Sequence, residues 1–320
     1  MSAPSLPLPE PSPVDAAREA YDHTRRLLFP FRFEHWLTLG LVAFLDQCGR
    51  GGMGGALPGG PPGTGLPTGS DTGSLSDFGS WFTANLGLIV AVAVGVLVVV
   101  VVVVAVVVWI GSRATFVYVD DVASGRAELS RPWKAHAEQA NSYFAWRFGL
   151  AAALLVALAL LIAFAAAAAL LVSRGGASAA GGVVLLVVLA PAFILVLVAG
   201  GLGAVALRDF VAPLQVHGRT SCGEALAVLG SLLRAYPLAF LLYIVLKIVF
   251  EVVRGMILVL GACLTLCCIL LPVVTQTALQ PLFFFERAWS LCLLRQMGYD
   301  VIGGPAAPAG PLEAPGAARV

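Results

Sequence analysis

The feature that most constrains this sequence is a stretch of 27 residues, Ala84 to Ile110, that contains no charged side chain. It holds 14 valines between Leu86 and Ile110, and the seven residues from Val98 to Val104 are all valine. In water so many β-branched residues favour a strand, but an uncharged apolar run longer than about 20 residues is typical of a helix that crosses a lipid bilayer. The stretch therefore predicts a membrane protein.

The composition extends this conclusion to the whole chain. Of the 320 residues, 59% are hydrophobic and 12% are charged, against roughly 25% charged residues in an ordinary soluble domain. The mean hydropathy of +0.92 is too high for all the apolar residues to fit in one globular core. The 19 Lys and Arg residues nearly balance the 18 Asp and Glu residues, so the charge gives no reason to expect a nucleic-acid partner.

Six apolar segments predict an all-α, polytopic helical membrane protein with about six transmembrane helices. The predicted spans are residues 34–48, 84–110, 146–172, 183–206, 237–259 and 262–285. The first is short for a span, although aromatic residues near its start are placed to anchor it at the membrane interface. A short Gly-rich connection predicts that the third and fourth spans form an antiparallel hairpin. Between the fifth and sixth spans we expect the turn near Gly261.

The positions of the cationic residues predict the orientation of these spans. If the N-terminus is cytoplasmic, 15 of the 19 Lys and Arg residues lie in inner segments, two lie in outer connections and two lie within the fifth span. Such an excess follows the positive-inside rule. We therefore expect a multi-pass protein of the bacterial cell (inner) membrane, with both termini in the cytoplasm and membrane lipids as its partners.

Low-complexity segments divide the chain further. Residues 1–33 combine a Pro-rich tail with an amphipathic helix, and residues 34–302 form the predicted membrane domain. Within this domain, residues 49–80 are predicted to form a Gly/Pro-rich outer loop. After the domain, residues 303–320 are predicted to form a disordered tail. Segments of this composition bury too little apolar area to offset the entropy lost on ordering.

A polar segment with helical apolar spacing precedes each span that starts on the inner side. These segments are Asp15–Leu28, Trp133–Tyr143 and Ser221–Tyr236. In the third, Ser221 and Glu224 have the spacing of a capping box. We expect three cytoplasmic-side interfacial helices, or alternatively three soluble helices packed on the inner ends of the bundle. The pattern predicts a unit of helix, span, outer turn and span that occurs three times, although the similarity is weak enough for chance to produce it.

Three ionisable residues, Lys247, Glu251 and Arg254, lie inside the predicted fifth span. Their spacings of four and three place them on one helical face, which we interpret as an intramembrane polar stripe. Charged residues at this depth need a partner or a hydrated groove. The stripe would face a transport pathway or a lipid headgroup. In the structural alternative, Glu251 bridges the two cations inside the bundle, or Arg254 reaches the outer interface.

Further charged residues lie at the predicted inner ends of the second and fourth spans. They are Arg113, Asp120, Asp121, Arg208 and Asp209. These candidate inner-interface residues could bind phosphate or a protein partner, or could fix the helix ends at the lipid headgroups.

No catalytic or metal-binding constellation is visible. The sequence has no HExxH motif, and Cys263, Cys267 and Cys268 lack both a C-x-x-C pair and a nearby histidine. We therefore expect no cofactor, no metal and no enzymatic activity.

Three segments carry a resemblance to known proteins: RDFVAPLQVHGRTSCGEALAVL, CLTLCCILLPVV and FFFERAWSLCLLRQMG. Over roughly Arg113 to Tyr299 the chain resembles uncharacterised bacterial six-span membrane families. That group includes the membrane domain of some glycerophosphodiester phosphodiesterases and the YciC-like inner-membrane proteins. The resemblance implies an all-helical inner-membrane domain without an established activity. The phosphodiesterase barrel and its metal-binding carboxylates have no counterpart in this chain.

Two functional hypotheses follow. A non-enzymatic membrane scaffold or lipid-associated accessory protein explains the interfacial helices and the lack of catalytic groups. A transporter or channel for a small or lipid-like solute would instead use the polar stripe of the fifth span. A water-filled cavity that reaches Lys247 would favour transport, and a closed bundle would favour the accessory role.

Overall fold

A computed structural model describes residues 10–29, 31–48, 85–264 and 272–302 of the chain. All regular secondary structure in these ranges is helical, which confirms the predicted all-α class for this part of the chain. The helices in chain order are α1 Pro13–Leu28, α2 Phe33–Cys48, α3 Leu86–Ser124, α4 Ser130–Ala135, α5 Ala137–Ser173, α6 Gly176–Val205, α7 Ala212–Gly218, α8 Cys222–Ala235, α9 Pro237–Leu264, α10 Pro272–Ala278 and α11 Gln280–Gln296. A π-helical turn, Ala206–Val211, joins α6 to α7.

Three stretches of helix in the described ranges are long and apolar enough to cross a membrane. They are Leu86–Ser124 with 39 residues, Ala137–Ser173 with 37 and Ser178–Gly218 with 41. At a rise of 1.5 Å per residue each is longer than about 50 Å, whereas the hydrocarbon core of a bilayer is about 30 Å thick. Their most apolar windows are almost entirely unburied within the chain. These helices are therefore compatible with insertion into a membrane.

The remaining predicted spans differ from these three in length or charge. Helix α2 has 16 residues, fewer than the roughly 20 that a span requires. Helix α9 has 28 residues but carries Lys247, Glu251 and Arg254 in its central part. The last predicted span corresponds to α10 and α11, with 7 and 17 residues. The six-span topology consequently stays a prediction.

Two of the long helices change surroundings along their length. In α3, residues 86–107 are exposed or half-buried, whereas Val108 and most residues from Gly111 to Ala123 are buried. Further along the chain Leu202 is exposed, and residues 207–215 in the π-helical turn and α7 are all buried. We call residues 86–107, 148–173 and 176–205 the arms. The inner core comprises α1, α7, α8, α11, the π-helical turn and residues 108–124 of α3.

Helices α5 and α6 form the predicted antiparallel hairpin, with the turn at Arg174 and Gly175. Gly175 adopts a φ of 70°, a conformation that favours glycine. Close to the turn the two helices nearly touch, because a Cβ added at Gly182 would lie 2.6 Å from the carbonyl oxygen of Ala168. Near the other end of the hairpin, Gly200 faces the Leu154 side chain. The predicted hairpin is confirmed.

The two ends of the described chain meet in the inner core. The Ser12 backbone N–H donates to Gln296 Oε1 at 2.8 Å, and the Trp289 indole N–H donates to the Pro13 carbonyl at 2.8 Å. His23 in α1 also contacts the end of α3, where Nε2 lies 2.8 Å from the Val122 carbonyl oxygen. Helix α1 therefore joins the first and last parts of the fold.

Three helices of the inner core each end near a left-handed residue, and the predicted threefold unit stays a prediction. Helices α3, α7 and α11 each end near a residue with positive φ, at Gly125 (70°), Arg219 (50°) and Gly298 (96°). Left-handed residues of this kind terminate helices by redirecting the chain. The predicted capping box at the start of α8 is also confirmed, since Ser221 Oγ accepts from Glu224 N and the Glu224 carboxylate accepts from Ser221 N.

Two predicted boundaries are wrong. Helix α9 passes through Gly255 and Gly261 to Leu264, so the turn is not at Gly261. A glycine in a helix costs about 1 kcal/mol, whereas a backbone group left unpaired away from water costs about 1–3 kcal/mol, so the helix is favoured. The segment Trp133–Tyr143 is also not one helix, because α4 ends at Ala135 and α5 begins at Ala137. The predicted loop 49–80 and tail 303–320 lie outside the described residues.

Candidate functional site

Eight ionisable side chains from four parts of the chain form one connected cluster, which we call the charge network. It comprises Asp46 from α2, Arg208 and Asp209 from the π-helical turn, Lys247, Glu251 and Arg254 from α9, and Glu286 and Arg287 from α11. Four of these residues are acidic and four are basic, so their formal charges cancel. The network lies where the arms meet the inner core.

The π-helical turn places two neighbouring charged residues inside the protein. Arg208 and Asp209 are adjacent in sequence, and their relative exposures are 3% and 1%. Short π-helical turns within α-helices are rare and occur frequently at functional sites. At this position the turn presents a cation and an anion together to α9 and α11.

Lys247 binds two buried carboxylates. Its Nζ lies 2.8 Å from Asp209 Oδ2 and 2.8 Å from Glu286 Oε1. One turn earlier on α9, the Tyr243 hydroxyl donates to the same Asp209 oxygen at 3.0 Å. The Lys247 side chain is only 5% exposed, so water contributes little to its solvation and the two carboxylates replace it.

Glu286 is the centre of the network, since it contacts three cations. Its Oε1 accepts from Arg208 Nη1 at 2.6 Å as well as from Lys247, and its Oε2 accepts from Arg254 Nη1 at 2.8 Å. Its side chain is fully buried. A buried carboxylate is stable only when cations or hydrogen-bond donors compensate for its lost hydration, and here both oxygens are compensated.

Asp46 connects α2 to the same cluster. Its Oδ2 lies 3.3 Å from Arg208 Nε and 3.4 Å from Arg287 Nη2, and its Oδ1 accepts from the Thr115 hydroxyl. Arg287 in turn donates through Nη1 to the Arg208 carbonyl at 2.6 Å. The network therefore joins α2, α3, α9, α11 and the π-helical turn.

The network becomes more exposed toward Arg254 and Glu251. Their side chains are 21% and 36% exposed, and they form an ion pair with each other. Because Arg254 also binds Glu286, it connects the buried part of the network to its half-buried edge.

The three residues of the predicted polar stripe thus all belong to the network. Within it, Glu251 pairs with Arg254, and Lys247 binds Asp209 of the π-helical turn and Glu286 of α11. Sequence reasoning missed Asp46 and Glu286 altogether and placed Arg287 only in a cationic inner segment. Each of these two acids lies within a predicted apolar span or its immediate end, and that signal could have identified them.

The candidate inner-interface residues lie in two places, the charge network and the inner half of α3. Arg208 and Asp209 are buried in the charge network. Arg113 lies over the Trp109 ring at 5.0 Å and donates to the Trp133 carbonyl at 3.1 Å. Its other contact, Nη2 to Asn141 Oδ1 at 3.2 Å, joins α3 to α5.

The two adjacent aspartates of α3 hold the connection that follows the helix. Asp120 pairs with Arg131 at 2.9 Å and lies 3.6 Å from His136. Asp121 accepts from the Glu128 backbone N–H at 3.1 Å. Both carboxylates therefore bind local protein groups.

No group of three or more His, Cys, Asp or Glu residues among the described ranges has the arrangement of a metal site. The acids of the charge network are close together, but cationic side chains already bind them. The arrangement can hold helices in register, and it can exchange protons or ions only if these pairs separate.

Comparison with known proteins identifies a family without a known function. Residues 11–301 match a family described as a family of unknown function, DUF7544. No curated protein and no solved structure matches the chain. The resemblance to the glycerophosphodiester phosphodiesterase membrane domain and to the YciC-like proteins therefore has no support.

Proposed function

We propose that this protein, which belongs to the DUF7544 family of unknown function, is a non-enzymatic membrane scaffold or lipid-associated accessory protein. The observation that carries the proposal is the balance of the charge network. Its four cations and four anions bind one another, so the network itself offers no uncompensated charge to recognise an ionic substrate or to activate a reacting group.

The proposal includes a specific membrane topology. Six spans, three cytoplasmic-side interfacial helices and two cytoplasmic termini in a bacterial inner membrane account for the 15 cations on one side and two on the other. In this arrangement the arms lie in lipid, and the inner core offers a folded surface to lipid headgroups or to protein partners.

A transporter or channel is the second candidate. The observation in its favour is that charged groups from distant helices meet at one place and extend to a half-buried edge at Glu251 and Arg254. Buried ionisable residues within membrane helices commonly mark ion or proton pathways. Transport would require the ion pairs of Lys247 to break and re-form.

Reconstitution with a matched pair of lysine variants separates these candidates. The chain has only two lysines, Lys247 in the network and the exposed Lys134 in α4. Wild type, Lys247→Leu and Lys134→Leu are placed in vesicles that contain a pH-sensitive dye, and a potassium diffusion potential is imposed. The accessory role predicts no proton flux above that of empty vesicles in any sample.

The same variants also test what the network contributes. We expect Lys247→Leu to lower the yield and the unfolding temperature, because Asp209 and Glu286 lose a shared cation, and Lys134→Leu to resemble wild type. Native mass spectrometry should find membrane lipids bound to the purified wild-type protein. Proton flux that Lys247→Leu abolishes and Lys134→Leu preserves would replace the accessory role with transport.

A further inference from the structure

A cleft of about 380 Å³ opens between α1 and α11 in the inner core, and it shares no residue with the charge network. Its charged lining residues are Glu19, Arg26 and Arg295, beside His23, and its apolar wall includes Leu27 and Ile302. Sites for small ligands commonly have volumes of roughly 300 to 1,000 Å³ and combine apolar walls with a few polar groups. This cleft has the size and lining for a small ligand or a lipid headgroup.

The two arginines of the cleft differ in their partners. Arg295 forms an ion pair with Glu19. Arg26 is exposed and donates from Nε to the Asp22 carbonyl at 3.2 Å, and it makes no ion pair within the described ranges. Its two Nη groups are therefore available for an anion. One acid and two arginines give the lining a formal charge of +1, and a guanidinium matches the geometry of phosphate oxygens.

His23 and Cys292 determine what else the cleft can bind. Burial lowers the pKa of His23, so the ring is neutral at pH 7. Because Nε2 must donate to the Val122 carbonyl, Nδ1 of the neutral ring is an acceptor that suits a ligand hydroxyl. Burial raises the pKa of the Cys292 thiol to about 12, so this lining residue is not a thiolate that could bind a metal or attack a substrate.

We propose that this cleft binds a phosphate group that carries neighbouring hydroxyls, with Arg26 and Arg295 on the phosphate and His23 on a hydroxyl. Two sources share this chemistry: the headgroup of a glycerol-type phospholipid and a free polyol phosphate. The lipid form of the ligand rests on the proposed lipid-associated role, whereas the free form does not.

The test uses the full chain in phosphatidylcholine nanodiscs, with unfolding followed by intrinsic tryptophan fluorescence. In one arm glycerol 3-phosphate is titrated at constant ionic strength, with sodium sulfate and glycerol as reference solutes. In the other arm phosphatidylglycerol replaces part of the phosphatidylcholine. Binding to the folded state raises the unfolding temperature with ligand concentration.

Arg26→Gln is compared with Arg25→Gln, which removes the same charge from the neighbouring exposed residue without altering the cleft lining. We expect Arg26→Gln to weaken binding by about tenfold or more, because a charge-assisted contact is lost. Arg25→Gln should bind like wild type. A response to glycerol 3-phosphate alone supports a soluble ligand, and a response in both arms supports the headgroup.

Two results would overturn the site. One is an unchanged unfolding temperature in both arms, and the other is an equal loss in Arg25→Gln and Arg26→Gln, which would indicate nonspecific surface attraction. The accessory role has its own readouts, vesicle flux and lipids retained on purification, so it can stand or fall independently of this cleft.

Discussion

The outer and inner halves of α3 show how one helix serves two environments. Residues 86–107 are almost all apolar and lie exposed on the chain, whereas Phe116, Val117 and Asp121 in the inner half are buried by other helices. The outer half is compatible with a lipid surrounding. The inner half depends on the fold, and charged or polar side chains occur where this fold provides partners. In this helix the uniformly apolar sequence therefore marks the part that other helices do not cover, and buried charge marks the inner core.

The strongest way to break this contrast is to remove the centre of the charge network. Glu286→Gln keeps the shape of the side chain but leaves Arg208, Lys247 and Arg254 without their shared carboxylate. We expect a loss of about 3–5 kcal/mol in the free energy of unfolding. The measurement is denaturant unfolding in nanodiscs, with the exposed Glu138→Gln as control. Wild-type stability in Glu286→Gln would show that the network contributes little.

The same substitution in both halves of α3 tests the contrast directly. Val117 is fully buried and Val101 is 48% exposed. Val117→Ala should lower the free energy of unfolding by about 2 kcal/mol, because it leaves a cavity in the core. Val101→Ala should have almost no effect, since lipid fills the space. Equal losses in the two variants, measured by thermal unfolding, would refute the assignment of residues 86–107 to an unpacked arm.

Within the arms, helices α5 and α6 pack against each other, and adjacent glycines there provide a matched pair. A Cβ at Gly182 would lie 2.6 Å from the Ala168 carbonyl oxygen, whereas a Cβ at Gly181 would meet nothing within 4 Å. We expect Gly182→Ala to destabilise the protein by about 1 kcal/mol or more through overpacking. Gly181→Ala should be neutral or slightly stabilising. Thermal unfolding of the two variants checks this, and identical behaviour would contradict the close approach.

The smallest expected effect concerns pH and the inner core. Burial lowers the pKa of His23 below its ordinary value of 6.5, so the unfolded chain takes up a proton more readily than the folded protein. The His23 contribution is complete above pH 6.5 and decreases as the pH falls toward the folded pKa. Wild type should lose more stability than His23→Gln between pH 7 and pH 5. Parallel pH profiles for the two proteins would exclude this contribution.

Local patterns predicted the features that depend on neighbouring residues. The uncharged length of Ala84–Ile110 predicted a long apolar helix, the Gly-rich connection predicted the α5–α6 hairpin, and the spacing of Ser221 and Glu224 predicted the capping box. Each of these is determined within one or two helical turns or by hydropathy alone. Gly261 shows the limit of such reasoning, because α9 continues through it. A glycine destabilises a helix by less free energy than the loss of backbone hydrogen bonds costs in an apolar surrounding.

Local sequence patterns could not predict which residues pair in the charge network. Arg287 and Asp46 are 241 residues apart in the sequence, and Arg208 and Glu286 are 78 residues apart. Spacing on α9 places Lys247, Glu251 and Arg254 on one face, but it does not identify the carboxylates that the face meets. The π-helical turn that buries Arg208 and Asp209 also has no evident sequence signal.

The sequence by itself determined that the described part of the chain is helical, with apolar helices long enough to enter a membrane, because length and charge-free composition decide the partition of a helix into lipid. Only the tertiary structure decided that charged residues from α2, the π-helical turn, α9 and α11 are collected into a single balanced network. The reason is that the cost of a buried charge depends on its nearest partner in space, and here those partners come from helices far apart in the sequence.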